Sequence, residues 1–102
     1  MNVKDLFDLK GKISVVTGGG RGIGKFIATG LAEAGSDVVI ASRKMENLEK
    51  EVKELENLGI RALAVKCDLA KKEDIGNLVK AAMDKFGTID ILVNNAGLTW
   101  GA

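Results

Sequence analysis

Two short stretches have residue types and spacing that could do chemistry: Thr17-Gly18-Gly19-Gly20-Arg21-Gly22-Ile23-Gly24 near the start, and Asn94-Asn95-Ala96-Gly97 near the end. Glycines between a strand and a helix leave backbone N–H groups unpaired at the positive end of the helix dipole. No Cβ blocks an approaching anion there. The first stretch is therefore suited to a phosphate. The dinucleotide pattern G-x-G-x-x-G does not fit it, because its third glycine would fall on Ile23 or Lys25. A P-loop fits Gly19, Gly24 and Lys25, but Phe26 stands where a hydroxyl must hold magnesium. Phosphoryl transfer is not expected, so Lys25 reads as an exposed first-turn residue and Phe26 as part of the helix's core face.

The elements that must position these stretches follow from apolar periodicity. Nearly continuous apolar runs at 13–16, 38–41, 62–65 and 89–93 read as buried strands. Between them lie three one-sided helical periods. The first presents Ile23, Phe26, Ile27, Leu31 and Ala34; the second Met45, Leu48, Val52, Leu55 and Leu58; the third Ile75, Leu78, Val79, Ala82, Met83 and Phe86. Each period stops at a glycine, Gly35, Gly59 or Gly87, where a left-handed cap costs least. Gly30, inside the first helix, is expected to let that helix lie close to the sheet.

Strand, helix and strand repeated in this way require parallel neighbours and right-handed crossovers. The fold class is α/β, a doubly wound parallel sheet of four strands in the order 3-2-1-4 with three helices. Glu46 to Lys50 and Glu49 to Lys53 are expected as i,i+4 pairs on the second helix. Ala70 is read as the N-cap of the third helix, three residues before Glu73. The fourth strand is expected to leave a bare sheet edge, with the face carrying one helix partly uncovered, so that self-association into a homo-oligomer follows.

Composition narrows the chemistry further. The 102 residues contain no His, no Tyr, no Pro and one Cys. Ser/His and Cys/His nucleophiles are excluded, as are zinc sites built from several His or Cys ligands. With 15 Lys and Arg against 14 Asp and Glu, the formal net charge is +1, and nothing favours nucleic acid or an anionic membrane. Cys67 has no internal disulfide partner, and no apolar secretory stretch opens the chain. The expectation is one cytoplasmic domain over 1–102, free of membrane spans.

The pattern Thr17-Gly18-x-x-x-Gly22-x-Gly24, together with Asn94-Asn95-Ala96-Gly97 after the fourth strand, resembles the classical short-chain dehydrogenase/reductase family over the whole chain. The resemblance implies a nicotinamide dinucleotide whose pyrophosphate is cradled by Gly18, Gly22 and Gly24. It places Asp68 at the adenine, and Asn94, Ala96 and Gly97 along the ribose and nicotinamide. Gly20, Arg21, Ile23 and Leu69 complete the implied cofactor contacts. Asp68 has an alternative reading as a turn or cap residue, and Asn95 reads as a group that satisfies backbone at the strand end.

Within such a site an acid at the end of the second strand would select a free ribose 2′-hydroxyl. Here Ser42 and Arg43 stand there instead, with a hydroxyl donor and a permanently charged fork suited to phosphate. NADP(H) is expected over NAD(H), with Arg21 as a second contributor.

Members of the family exchange hydride with a carbonyl or alcohol substrate, using a Tyr and a Lys that follow the Asn-Asn-Ala-Gly motif. This chain carries no Tyr and stops at Ala102. It reads as the amino-terminal cofactor-binding portion of a longer oxidoreductase, lacking the catalytic portion and inactive alone. A stand-alone NADPH-binding module and a purely structural α/β piece are the alternatives. The tail Leu98-Thr99-Trp100-Gly101-Ala102 is similar to that of sugar-acid dehydrogenases of the family, with 3-oxoacyl carrier-protein reductases as close rivals.

Overall fold

The computed structural model describes residues 8–18, 22–46 and 48–95. The elements are β1 (Ile13–Thr17), α1 (Gly22–Glu33), β2 (Asp37–Ser42), α2 (Leu48–Glu56), β3 (Ala62–Lys66), α3 (Lys72–Phe86) and β4 (Ile91–Asn94). The strands form one parallel sheet in the order β3-β2-β1-β4, as expected. Every residue of β1 is buried, because this strand has a neighbour on each side and helices above and below.

Side chains alternate between the two sheet faces. Val16, Val38, Ile40 and Ala62 meet α1 and α2 through Ala28, Ala32, Leu48 and Leu55. On the other face Val15, Val39, Ala41 and Cys67 meet Leu78 and Ala82 of α3. Val15 is in register with Leu92 of β4, yet Leu92 is 67% exposed. The single helix on that face does not reach β4, so the expected uncovered patch is present. Gly35, Gly59 and Gly87 follow the three helices with left-handed φ of 103°, 95° and 81°; Gly87 caps α3, whereas α1 and α2 end at Glu33 and Glu56, before their glycines.

Several local expectations need correction. Phe26 is 80% exposed and Ile23 61% exposed, so neither belongs to the core face of α1. That helix instead buries Gly24, Ala28 and Ala32, at steps of four. Its smallest side chains face the sheet, which allows a close approach and turns the bulky residues outward. Gly30 is not the point of approach, since a Cβ there would meet nothing within 4 Å.

The outer helices differ from expectation too. Leu58 lies beyond the end of α2 and is 46% exposed. In α3 the core-facing residues reduce to Leu78 and Ala82 with Phe86 packed beside them, while Ile75, Val79 and Met83 remain largely exposed. Glu46 precedes α2, which rules out a helical pair with Lys50. Among the described residues the ion pairs are Lys25–Glu54, Arg61–Asp37 and Lys80–Asp84, so the expected Glu49–Lys53 pair is not formed either. The N-cap of α3 is Lys71 rather than Ala70, with no side-chain cap bond.

Candidate functional site

The candidate residues that the structure describes gather at the carboxyl ends of the strands. Open parallel sheets bind ligands there, and the crevice opens where successive connections leave to opposite faces, here between β1 and β4. Gly18 follows β1, Ser42 closes β2 with Arg43 after it, Asp68 and Leu69 follow β3, and Asn94 closes β4. Gly20, Arg21, Ala96 and Gly97 lie outside the described residues, as does the tail 98–102.

The turn from β1 into α1 is held by few but specific contacts. Gly18 has φ 67°, in the left-handed region, and its N–H donates to the Ala41 carbonyl at 2.7 Å. Its amide is thus committed to the neighbouring strand, and its contribution is the reversal of the chain. Gly22, at φ 62°, opens α1. The amides of the first three helical residues, Gly22, Ile23 and Gly24, have no partner within the helix.

Gly24 sets the shape of this corner. A Cβ at that position would fall on the Gly18 carbonyl and within 2.8 Å of Asn95 Nδ2. Only glycine lets α1 begin against the end of β1, and it is this packing that points the amino end of the helix into the crevice.

Across the crevice, Thr17 ties β1 to β4. Its hydroxyl donates to Asn94 Oδ1 at 3.1 Å, with the Val93 carbonyl at 3.3 Å, and accepts from the Asn95 N–H at 3.1 Å. Asn95 Nδ2 donates to the Gly18 carbonyl at 3.4 Å, so Asn95 satisfies backbone at the strand end as the sequence suggests. Asn94 itself is exposed, and its amide is oriented through the Thr17 bond. The sequence motif alone assigns Thr17 no such bridging role. Its signal is modest: a polar residue ending a buried apolar strand must find a partner across the sheet.

The second and third strand ends form the flank of the site. Cys67 N–H donates to the Ser42 carbonyl at 2.8 Å, which brings Ser42 next to the segment carrying Asp68 and Leu69. Arg43 is exposed. Asp68 realises its alternative reading as a turn residue: its Oδ1 accepts from the Ala70 N–H at 3.0 Å, and its own N–H donates to Asp74 Oδ2 at 2.9 Å. Leu69 packs against the core beside Cys67. Burial, reinforced by Asp74 and Asp68, pushes the Cys67 thiol up from its usual pKa, so it stays protonated and unreactive.

Residues 12–102 match the family model described as short chain dehydrogenase. The chain belongs to that family. It is 44% identical over 97 residues to an uncharacterized oxidoreductase of Mycobacterium tuberculosis, covering 95% of this chain and 37% of that protein. It is 41% identical over 99 residues to a sorbose reductase of Candida albicans, covering 97% and 35%. Over 93 residues it is 41% identical to the 7alpha-hydroxysteroid dehydrogenase of Escherichia coli, covering 91% and 36%.

A crystal structure of hydroxysteroid dehydrogenase from Escherichia coli superposes with a TM-score of 0.85 at 38% identity, covering 91% of this chain and 39% of that one. The chain thus spans a little over a third of the length of the relatives it matches. Gly18 and Gly24 stand beside Asn95 where β1 and β4 end. Among the described residues no group of three or more metal-binding side chains occurs, and no helix is long and apolar enough to cross a membrane.

Proposed function

We propose that this chain is the dinucleotide-binding portion of a dehydrogenase/reductase that exchanges hydride between NADP(H) and a carbonyl or alcohol substrate. The observation that carries the reading is the Gly24 corner, where an added Cβ would strike the Gly18 carbonyl. Backbone amides and a helix dipole lie there at the carboxyl end of β1, and glycine at 22 and 24 keeps bulk off the first turn, which fits a pyrophosphate. When bound, the nicotinamide supplies the hydride.

The chain's own residues bind and orient the cofactor. The amides of Gly22 and Ile23, and of Gly20 and Arg21 before them, hold the pyrophosphate. Asn94, with Ala96 and Gly97, lines the ribose and nicotinamide. Asp68 and Leu69 border the adenine, Asp68 through the carboxylate oxygen that its turn leaves over. Ser42 and Arg43 take the 2′-phosphate by a hydroxyl bond and a bidentate guanidinium contact. No carboxylate stands at the end of β2 to repel it, because Asp37 opens that strand and is held by Arg61 at 2.8 Å. NAD(H) binds more weakly on this reading.

No Tyr is available to deliver a proton to the forming alkoxide, so the chain binds the cofactor without turnover; a Tyr and Lys from a further portion of the polypeptide complete the reaction. Among the described residues nothing pairs with the outer side of β4 and Leu92 is exposed, which favours self-association.

Calorimetric titration with NADPH and NADH tests the assignment. NADPH is expected to bind at least about tenfold more tightly, a difference of ~1.4 kcal/mol, and Arg43→Ala is expected to erase that preference. No heat from either nucleotide would overturn the site; equal affinities would overturn only the 2′-phosphate contact.

A further inference from the structure

Glu51 is a buried acid that the candidate site does not use. It lies with Leu48 and Leu55 on the inward face of α2 and is 2% exposed. Among the described residues neither of its carboxylate oxygens has a hydrogen-bond partner. An ionised carboxylate in that position is costly, whereas a protonated one is tolerated. One turn further along the same helix, Glu54 Oε2 meets Lys25 Nζ of α1 at 3.3 Å, with both side chains close to half exposed. Residues three apart on a helix are neighbours on its surface, and the Lys25 charge is near enough to draw the Glu51 pKa down, so one cation bears on two carboxyl groups at the contact between α1 and α2.

Among the described residues, the other charges on the elements packed against α2 are engaged or turned away. Of the charged residues on β2 and β3, Asp37 is held by Arg61, and Lys66 is exposed. The sheet positions packed against α2 are the apolar Val38, Ile40 and Ala62. On α1 the remaining charge, Glu33, lies at the far end of the helix from Lys25.

We propose that Glu51, Lys25 and Glu54 form a proton-operated latch between α1 and α2. With its proton, Glu51 remains in the interface while Lys25 holds Glu54, and α2 is docked. When Glu51 gives its proton to solvent, its carboxylate has to leave the apolar interface to be solvated and to reach Lys25, where it competes with Glu54, and this departure loosens the packing of α2. Burial, with help from the Glu54 charge and against the pull of Lys25, pushes Glu51 up to about 7, so the exchange falls near neutrality.

The test is side-chain carboxyl NMR on the full chain across roughly pH 4 to 9, with amide exchange in α2 as a second readout. Glu51 is expected to titrate near neutrality, and Glu54 to show an inflection at the same pH as it loses Lys25. Glu54→Gln should lower the Glu51 midpoint and Lys25→Gln should raise it. Glu51→Gln should abolish both the Glu54 inflection and the pH dependence of α2 exchange. A Glu51 that titrates in the ordinary carboxylate range overturns the latch. So does a neutral midpoint with no response at Glu54, which would leave only an isolated buried acid. Because the Glu54 inflection is read in the unaltered chain, the outcome does not depend on any variant folding.

Discussion

The two ends of β1 are tied to their neighbours in different ways. At the amino end, Ser36 Oγ lies 2.7 Å from Ser14 Oγ and from the Asp37 carbonyl, and 3.1 Å from the Lys12 carbonyl. Both serines are fully buried, and the network closes on itself. The Ile13 N–H donates to Asp90 Oδ2, and Asp37 takes the Arg61 guanidinium and the Arg61 N–H. At the carboxyl end, Thr17 also bridges strands, but its partner Asn94 is exposed and the helix beside it starts with amides that have no partner within the helix. One end spends its polar groups on holding the sheet together. The other holds them in position while leaving some outward, which is the arrangement a ligand requires.

The largest effect separates two glycines of one helix. Gly24→Ala places a methyl on the Gly18 carbonyl, where neither backbone gives way easily. It should cost about 3 kcal/mol of stability and nucleotide affinity by about 100-fold or more, read by chemical denaturation and calorimetry. Gly30→Ala meets nothing within 4 Å and should instead stabilise by about 0.5–1 kcal/mol, with nucleotide affinity unchanged. If both substitutions behaved alike, the carboxyl end of β1 would have no special packing and the contrast would fail.

A middle-sized effect compares the hydroxyls. Ser36→Ala leaves Ser14 in a buried place without its partner and should cost about 1–3 kcal/mol, with binding untouched in the variant that remains folded. Thr17→Val removes the acceptor of the Asn95 N–H and the donor to Asn94. It should cost about 1–2 kcal/mol and also weaken NADPH binding by about tenfold, because Asn94 is no longer oriented. Equal effects on binding would show that the two ends are not functionally distinct. The pH dependence of stability reports on a third place, the helix pair. Glu51 has its pKa raised on folding, so the stability it adds is complete below about 4.5 and is lost as pH rises to about 7. Denaturation across that window should show a fall of roughly 1–3 kcal/mol, allowing for screening at the interface rim, and Glu51→Gln should flatten it.

The architecture was readable because its signals are local and repeated. Four apolar runs, three helical periods and a glycine after each helix leave few alternatives to a parallel sheet; the crossover rule supplies the helix faces, and the order 3-2-1-4 follows once the fourth strand is set beside the first. What failed was the choice of face. Apolar periodicity ranks Phe26 and Ile23 as core because they are large, but a helix pressed against a sheet by Gly24, Ala28 and Ala32 turns bulk outward. The sequence points to Gly30 for the close approach that Gly24 makes, since glycine content does not show which glycine meets a neighbour. In the candidate site, the glycine turn and the Asn94-Asn95 strand end were legible as motifs. The bond between Thr17 and Asn94 was not, because 77 residues separate them and neither type demands the other. Glu51 reads as one more surface glutamate until α1 is packed over it.

The smallest effect concerns an element on the far side of the sheet, where sequence and structure differ by one residue. A capping hydroxyl at Ala70 would sit outside α3, whereas Lys71 has the extended backbone of an N-cap, φ −109° and ψ 118°, and makes no side-chain cap bond. Lys71→Ser should satisfy a first-turn amide and remove a cation from the positive end of the helix dipole, raising stability by about 0.5–1 kcal/mol. Ala70→Ser should do nothing comparable, because the Ala70 N–H is already taken by Asp68 and its side chain precedes the cap. Comparing the two denaturation midpoints fixes the boundary of α3 to a single residue. Because Asp68 N–H leans on Asp74 of that helix, a better-anchored α3 should also hold the Asp68 turn more firmly without altering the β1–β4 crevice. A change in NADPH affinity on Lys71→Ser would therefore mean that the adenine flank, and not the glycine corner alone, limits binding.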